Sequence, residues 1–326
     1  MLSLTCALSD YDHVHDLVSG RVRPEGISLQ MLNFPVEEIF FRALRFEEFD
    51  IAEMSMGRYS AMVSQGDRRF VAIPVFPSRV FRHSSIYVRS DGDIHRPADL
   101  RGQTIGVPEW AQTAGIYARG ALKQQFGLEL TDVKWVQAGI HQTGRSEEVP
   151  LDLPDALKLE RITDRTLDEM LRSGEIAGLI SAHPPHCFEH DRVARRLFTD
   201  PRSVESQYWE ETGIFPIMHA LVIRRAIFES NRWIAMNLLE AFTTAKANSL
   251  RRAAEGTASR FPLPFMNSHV MSIIASFGED YWPYGVEKNR VTLTAFLQYA
   301  YEQGVTRLLL SPEDLFPAEV MTKFKI

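Results

Sequence analysis

Apolar residues in the first part of the chain come in short runs with strand character, separated by stretches of helical spacing. Leu2 to Leu8 is a strand-like run that ends in the loop Asp10-Tyr11-Asp12-His13, and Val14 to Val18 reads as a short helix closed by Gly20. Ile27 to Phe34 predicts a second strand. Pro35-Val36-Glu37-Glu38 then opens a helix, with proline and acids where the helix dipole favours them. Phe49 to Met54 and Arg69 to Val75 are the third and fourth strands, with Ser55-Met56-Gly57 and a helix through Tyr59 to Val63 between them. This alternation predicts a mainly parallel α/β sheet, whose ligands gather beyond the carboxyl ends of the strands.

From Val75 to Arg89 a run of strand formers is interrupted by side chains able to donate to an anion, and the turn cluster Ser90-Asp91-Gly92-Asp93 ends it. We read it as a crossover between two lobes. A similar strand, Phe215 to Arg224, follows a self-contained α/β segment. That segment comprises a strand at Gln103 to Pro108, a helix from Gln112-Thr113-Ala114 to Gly127, and a strand at Val133 to Val136. The polar loop Gly139 to Pro150, a helix from Asp164 to Leu171 and a strand at Ile176 to Ile180 complete it. After the return, Ile234, Leu238, Leu239 and Phe242 mark one buried helical face, and helices over His269 to Phe277 and Asn289 to Tyr301 flank the aromatic loop Tyr281 to Gly285. The expected division is a discontinuous first lobe, residues 1–88 and 217–326, with residues 89–216 inserted as a second lobe and a small-ligand cleft between them.

Composition narrows the partners. A chain of 326 residues favours two domains, and 45% hydrophobic with 24% charged residues is ordinary for a globular protein. The net charge is −6, from 36 basic and 42 acidic residues without a long block of one sign, which argues against nucleic acid as a partner. A local arginine cluster can still recruit a small anion. Cys6 and Cys187 are expected to be free thiols, and with no export signal or membrane-length apolar run the expected compartment is the cytoplasm.

The order of motifs resembles the 4,5-dihydroxyphthalate decarboxylase family over essentially the whole chain. The motifs are the Arg79-to-Arg89 crossover, Arg101-Gly102-Gln103-Thr104-Ile105-Gly106-Val107-Pro108-Glu109, Gly213-Ile214-Phe215-Pro216-Ile217-Met218-His219 and Trp282-Pro283-Tyr284-Gly285. The Gly213-to-His219 and Trp282-to-Gly285 segments are the more specific. The resemblance implies a type 2 periplasmic-binding-protein-like fold, with two α/β lobes and mixed sheets around a cleft, used for catalysis. It implies removal of one carboxylate from 4,5-dihydroxyphthalate to give protocatechuate. It carries over no catalytic residue by a sharp motif.

Candidate chemistry follows from what an aromatic dicarboxylate needs. Arg79 and Arg82 offer planar forked donors that suit carboxylates, against the alternative of surface ion pairs. Gln112 and Thr113 begin a helix whose N–H groups and hydroxyl can receive an anion or merely cap the helix. Glu53 is either a buried proton donor or a structural partner for Arg79 or Arg82. His13, His83, His183 and His219 follow strands or lie in crossovers and are candidate proton donors to the ring carbon. Tyr284 is a candidate for stacking on the substrate, and Trp282 for packing. The run His183-Pro184-Pro185-His186-Cys187-Phe188-Glu189-His190 has metal-capable groups but no strong zinc spacing, so we expect a rigid loop and no metal. Neither a Ser-His-Asp arrangement nor a phosphate or dinucleotide loop appears. The expectation is a cofactor-independent aromatic carboxy-lyase. The alternative is a cytoplasmic solute-binding protein for the same class of ligand, and apolar residues on the C-terminal helices leave a homo-oligomer open.

Overall fold

The computed structural model describes residues 1–258 and 260–321. Its strands are β1 (Leu2–Leu8), β2 (Ile27–Asn33), β3 (Ile51–Ser55), β4 (Phe70–Ile73), β5 (Ile86–Arg89), β6 (Thr104–Val107), β7 (Lys134–Gln137), β8 (Leu159–Arg161), β9 (Gly178–Ile180), β10 (Ala194–Arg196) and β11 (His219–Arg224). They form two mixed sheets, ordered β2-β1-β3-β11-β4 and β10-β5-β9-β6-β7-β8. In the first, β1 runs parallel to β2 and β3, while β11 returns antiparallel between β3 and β4. Every residue of the central strand β3 is buried, and so is every residue of β4 at the sheet edge, so both strands are covered on both faces.

Two crossings join the sheets, after β4 and before β11, and they touch. Arg79 forms an antiparallel bridge with Ile217, and the Met218 N–H donates to Ser78 O at 2.9 Å. The chain has changed sheets by Ile86, since β5 pairs with β9 and β10. The return strand begins at His219 instead of Phe215, because residues 214–218 are taken up by the crossing.

The C-terminal helices form as expected, at Ile234–Ala254, Met266–Phe277 and Arg290–Glu302. The last of these does not serve the first lobe alone. Tyr299 packs on Tyr117, and Gln303, just past its end, accepts from Arg119 Nε at 2.8 Å through its side chain and from Trp110 Nε1 at 2.7 Å through its carbonyl. A helix at Pro201–Thr212 and the three-residue strands β8 and β10 are additions to the expected elements. Cys6 and Cys187 are buried free thiols, as expected.

Candidate active site

Between the sheets lies a cavity of about 770 Å³. One wall comes from the helix Val36–Phe46, through Glu37 and Phe40, from Ser55 at the end of β3, and from Arg58 on the helix Met56–Ser64. The opposite wall is Glu109, Gln112 and Thr113, the loop 139–146, Glu148, and Ala182 with His183; Arg82 and Met218 come from the crossings and His219 from the start of β11. Close approach of the walls depends on Gly57. A Cβ there would fall 2.3 Å from the Ala111 carbonyl oxygen. With no side chain in the way, Thr113 Oγ1 lies 2.9 Å from Ser55 Oγ and accepts from the Gly57 N–H at 2.9 Å.

At the floor, antiparallel pairing of His219 with Ser55 brings β11 beside the end of β3. Glu53, two residues earlier on β3, is fully buried, and its carboxylate is met by three groups. The Ser9 N–H donates at 3.1 Å, the Tyr11 hydroxyl at 2.5 Å, and His219 Nδ1 lies 2.5 Å away. A carboxylate on Nδ1 fixes ring orientation and leaves Nε2 as the free nitrogen of a histidine that lines the cavity. Phe40 stands edge-on to this imidazole, with centroids 5.0 Å apart. Burial, followed by the charge of Glu53, raises the Tyr11 phenol far above its usual range. Tyr11 therefore stays a donor.

Three arginines reach the cavity, and two are already paired. Arg58 meets Glu109 at 3.2 Å and Glu148 at 2.8 Å, while Arg145 Nη2 lies 2.6 Å from Glu109. Arg82 differs. Its guanidinium contacts Met218 Sδ at 3.1 Å and Ser85 Oγ at 3.5 Å, and it is in no ion pair among the described residues. Burial pushes its pKa down to about 10, so it remains a cation at neutral pH. Gln112 also faces the cavity, and its buried Oε1 has no hydrogen-bond partner among the described residues.

The chain is 37% identical over 328 residues to the 4,5-dihydroxyphthalate decarboxylase of Comamonas testosteroni, an alignment covering 100% of this chain and 99% of that protein. The chain belongs to the 4,5-dihydroxyphthalate decarboxylase family. It is accordingly a carboxy-lyase. The decarboxylase of Pseudomonas putida is 42% identical over 212 residues, 64% of this chain and 81% of that one. Residues 26–147 match the model of the ABC-transporter phosphonate periplasmic substrate-binding protein family. Among solved structures, the aliphatic sulphonate binding protein SsuA of Escherichia coli superposes with a TM-score of 0.52 at 14% identity, covering 98% of this chain and 99% of that one. A putative sulfonate-binding protein of Methylobacillus flagellatus KT gives 0.54 at 14%, covering 98% and 92%. Likeness at such identities concerns the fold alone, and that fold is the expected two-lobed, periplasmic-binding-protein-like one.

Within this carboxy-lyase the expected residues divide by position. Arg82, Gln112, Thr113, His183 and His219 line the cavity, with Glu53 directly behind His219. Arg79, His13, His83 and Tyr284 do not line it. Arg79 is buried in the hinge, donating to Phe215 O at 2.9 Å and Pro283 O at 2.8 Å and contacting Asn289 Oδ1. Thus Glu53 partners His219 and not Arg79 or Arg82. His83 is buried against Phe198 and Tyr208, with Nε2 3.0 Å from Gln125 Oε1. His13 lies between Tyr11 and Trp282. Tyr284 is 5% exposed, beneath the Lys246 ammonium, so it stacks on protein. His183 spans the cleft mouth to Glu37, Nε2 to Oε1 being 2.8 Å. Arg58, Glu109 and His141 also line the cavity; isolated in sequence, they carry no spacing signal, although His141 and Arg145 stand in a loop recognisable as polar.

Proposed function

We propose that this carboxy-lyase removes one carboxylate from a hydroxylated aromatic ortho-dicarboxylate such as 4,5-dihydroxyphthalate, giving protocatechuate without a cofactor. The observation that carries the reading is the pairing of His219 with buried Glu53 beside Arg82, a cavity cation without a carboxylate partner among the described residues. The decarboxylase names of the relatives support the substrate class.

In this mechanism Arg82 binds the retained carboxylate, a charge-assisted contact for which the planar guanidinium is suited. Gln112 Oε1 accepts from a ring hydroxyl, which answers its lack of a partner among the described residues. The hydroxyl para to the reacting carbon pushes electrons into the ring, and the imidazolium of His219 delivers its Nε2 proton to that carbon. The carbon–carboxylate bond then breaks. Its electron pair restores the aromatic ring as carbon dioxide leaves, and solvent reprotonates His219, so each turnover consumes one proton. Glu53 stabilises the imidazolium and holds the ring in place. Phe40 provides an apolar flank for the departing carboxylate.

A buried carboxylate behind a cleft imidazole suits proton transfer, whereas in solute binding alone it would serve only to orient the ring. The test incubates purified protein with 4,5-dihydroxyphthalate and a panel of hydroxybenzoates, following carbon dioxide and aromatic products after metal chelation. Protocatechuate formation by the wild type and its loss in His219→Asn are expected. Thermal stabilisation by the diacid with no product from any acid would overturn the substrate assignment.

A further inference from the structure

Outside the cleft, the helix His186–Glu189 gathers a second constellation that the decarboxylation reading does not use. It places His186 and Glu189 three residues apart, and His190 follows at its carboxyl end. Side chains at such spacing share one helix face. One ligand atom from each of the three lies within 4.8 Å of the others, and all three residues are exposed. Pro185 takes the N-cap position, and the turn begins immediately after it.

We propose that His186, Glu189 and His190 form a binding site for a borderline first-row divalent cation, of the class of Zn²⁺, Co²⁺ and Ni²⁺. Two imidazoles with one carboxylate are a donor set that suits such ions and leaves positions for water. Metal–ligand bonds of about 2.0–2.2 Å require the donor atoms to approach to roughly 3.3–3.5 Å. Closing that gap takes small rotations of the exposed Glu189 and His190 side chains toward His186.

The backbone beneath them is already held. Asp168 Oδ1 accepts from the Cys187 N–H at 2.8 Å, and Arg172 fixes Asp168 at 2.7 Å. Arg172 also pairs with Asp191, whereas Glu189 is in no ion pair among the described residues. The His141 ring stacks on His186, with centroids 3.7 Å apart and planes inclined by 12°. His141 belongs to the loop lining the cleft, and an ion on His186 would therefore tether the outer rim of the second lobe to that loop.

The test uses the full-length chain freed of any affinity tag. Co²⁺ is titrated in while its visible absorption is recorded, and Zn²⁺ is then used to displace it. One equivalent of Co²⁺ displaced by Zn²⁺ is expected, with affinity weakened at least tenfold in Glu189→Gln and the signal lost in the His186→Ala/His190→Ala double variant. The double variant should keep its far-ultraviolet dichroism and its carbon dioxide release. The inference is overturned if wild type gives no Co²⁺ spectrum up to millimolar concentration, or if the variants bind as the wild type does. Because the readout is metal binding, its failure is distinguishable from failure of the decarboxylation reading.

Discussion

His219 Nδ1 lies 2.5 Å from Oε1 of Glu53, a carboxylate with no solvent exposure, so the candidate proton donor is held from behind by a charge that solvent does not reach. If His219 delivers the proton, His219→Ala should lower kcat by about 10²–10⁴-fold, the range of positioned acid–base groups, with little change in substrate affinity. Glu53→Gln should lower kcat by roughly tenfold or more while KM stays near the wild-type value. Steady-state kinetics on folded variants would separate this from a structural defect, which would move both parameters.

Arg82→Ala should weaken binding of the diacid by about 10–100-fold, from the roughly 1.5–3 kcal/mol of a hydrogen bond to a charged group. Calorimetric titration would detect it. Removal of one carboxylate from the ligand should shrink the difference between wild type and variant.

Arg79→Ala should act on stability instead. Its guanidinium ties the carbonyls of Phe215 and Pro283 at the hinge while lying over the Phe76 and Phe215 rings. Losing the charged donor of these buried hydrogen bonds costs about 1.5–3 kcal/mol. Denaturant titration should register that loss, and Arg79→Lys should recover little of it, since an ammonium lacks the planar fork.

The His183–Glu37 contact across the cleft mouth should depend on pH. Its hydrogen bond to Glu37 raises the His183 pKa, against burial and the charges of Arg145 and Arg82, while the same bond lowers Glu37 to about 2. The His183 contribution is complete below about 6.5 and fades as pH rises through its raised value; that of Glu37 is complete above about 4.5 and fades on acidification toward 2. Titration of the His183 resonance by NMR should give a value above that of free histidine, returning toward it in Glu37→Gln. Both side chains are more than half exposed, so added salt should reduce the effect.

His13 should make the fold acid-sensitive in the opposite sense. Burial lowers its pKa to about 4, against the partly offsetting charge of Glu53. An unfolded chain binds a proton near 6.5 that the folded one refuses, so stability is full above 6.5 and falls as pH drops toward 4, by at most about 3 kcal/mol. The slope of denaturant stability against pH across that window should flatten in His13→Phe.

Much of the fold is legible along the chain because its signals are local. Leu2 to Leu8 has a strand's composition, and Gly127 ends its helix in the left-handed region, at φ 62°. The helix Pro201–Thr212 bears comparable signals: Asp200 accepts from the Ser203 N–H, Pro201 occupies the first turn, and Gly213 closes it at φ 65°. It is nevertheless hard to recognise, because Tyr208 is its only fully buried residue and apolar periodicity is weak. Strands β8 and β10 are three residues each at the sheet edges, too short for a pattern to register.

The sequence by itself determined the two runs of strand and helix, the two crossings and a family resemblance, because backbone preferences and apolar spacing act over a few residues. Only the tertiary structure decided which of two arginines three residues apart is a cavity cation. Arg79 is turned into the hinge by its bridge to Ile217, whereas Arg82 reaches the cleft beside Met218. The same holds for Glu53 and His219, 166 positions apart and joined only when β11 returns antiparallel to β3. Side-chain direction is set by pairing between distant segments, and that information is not local.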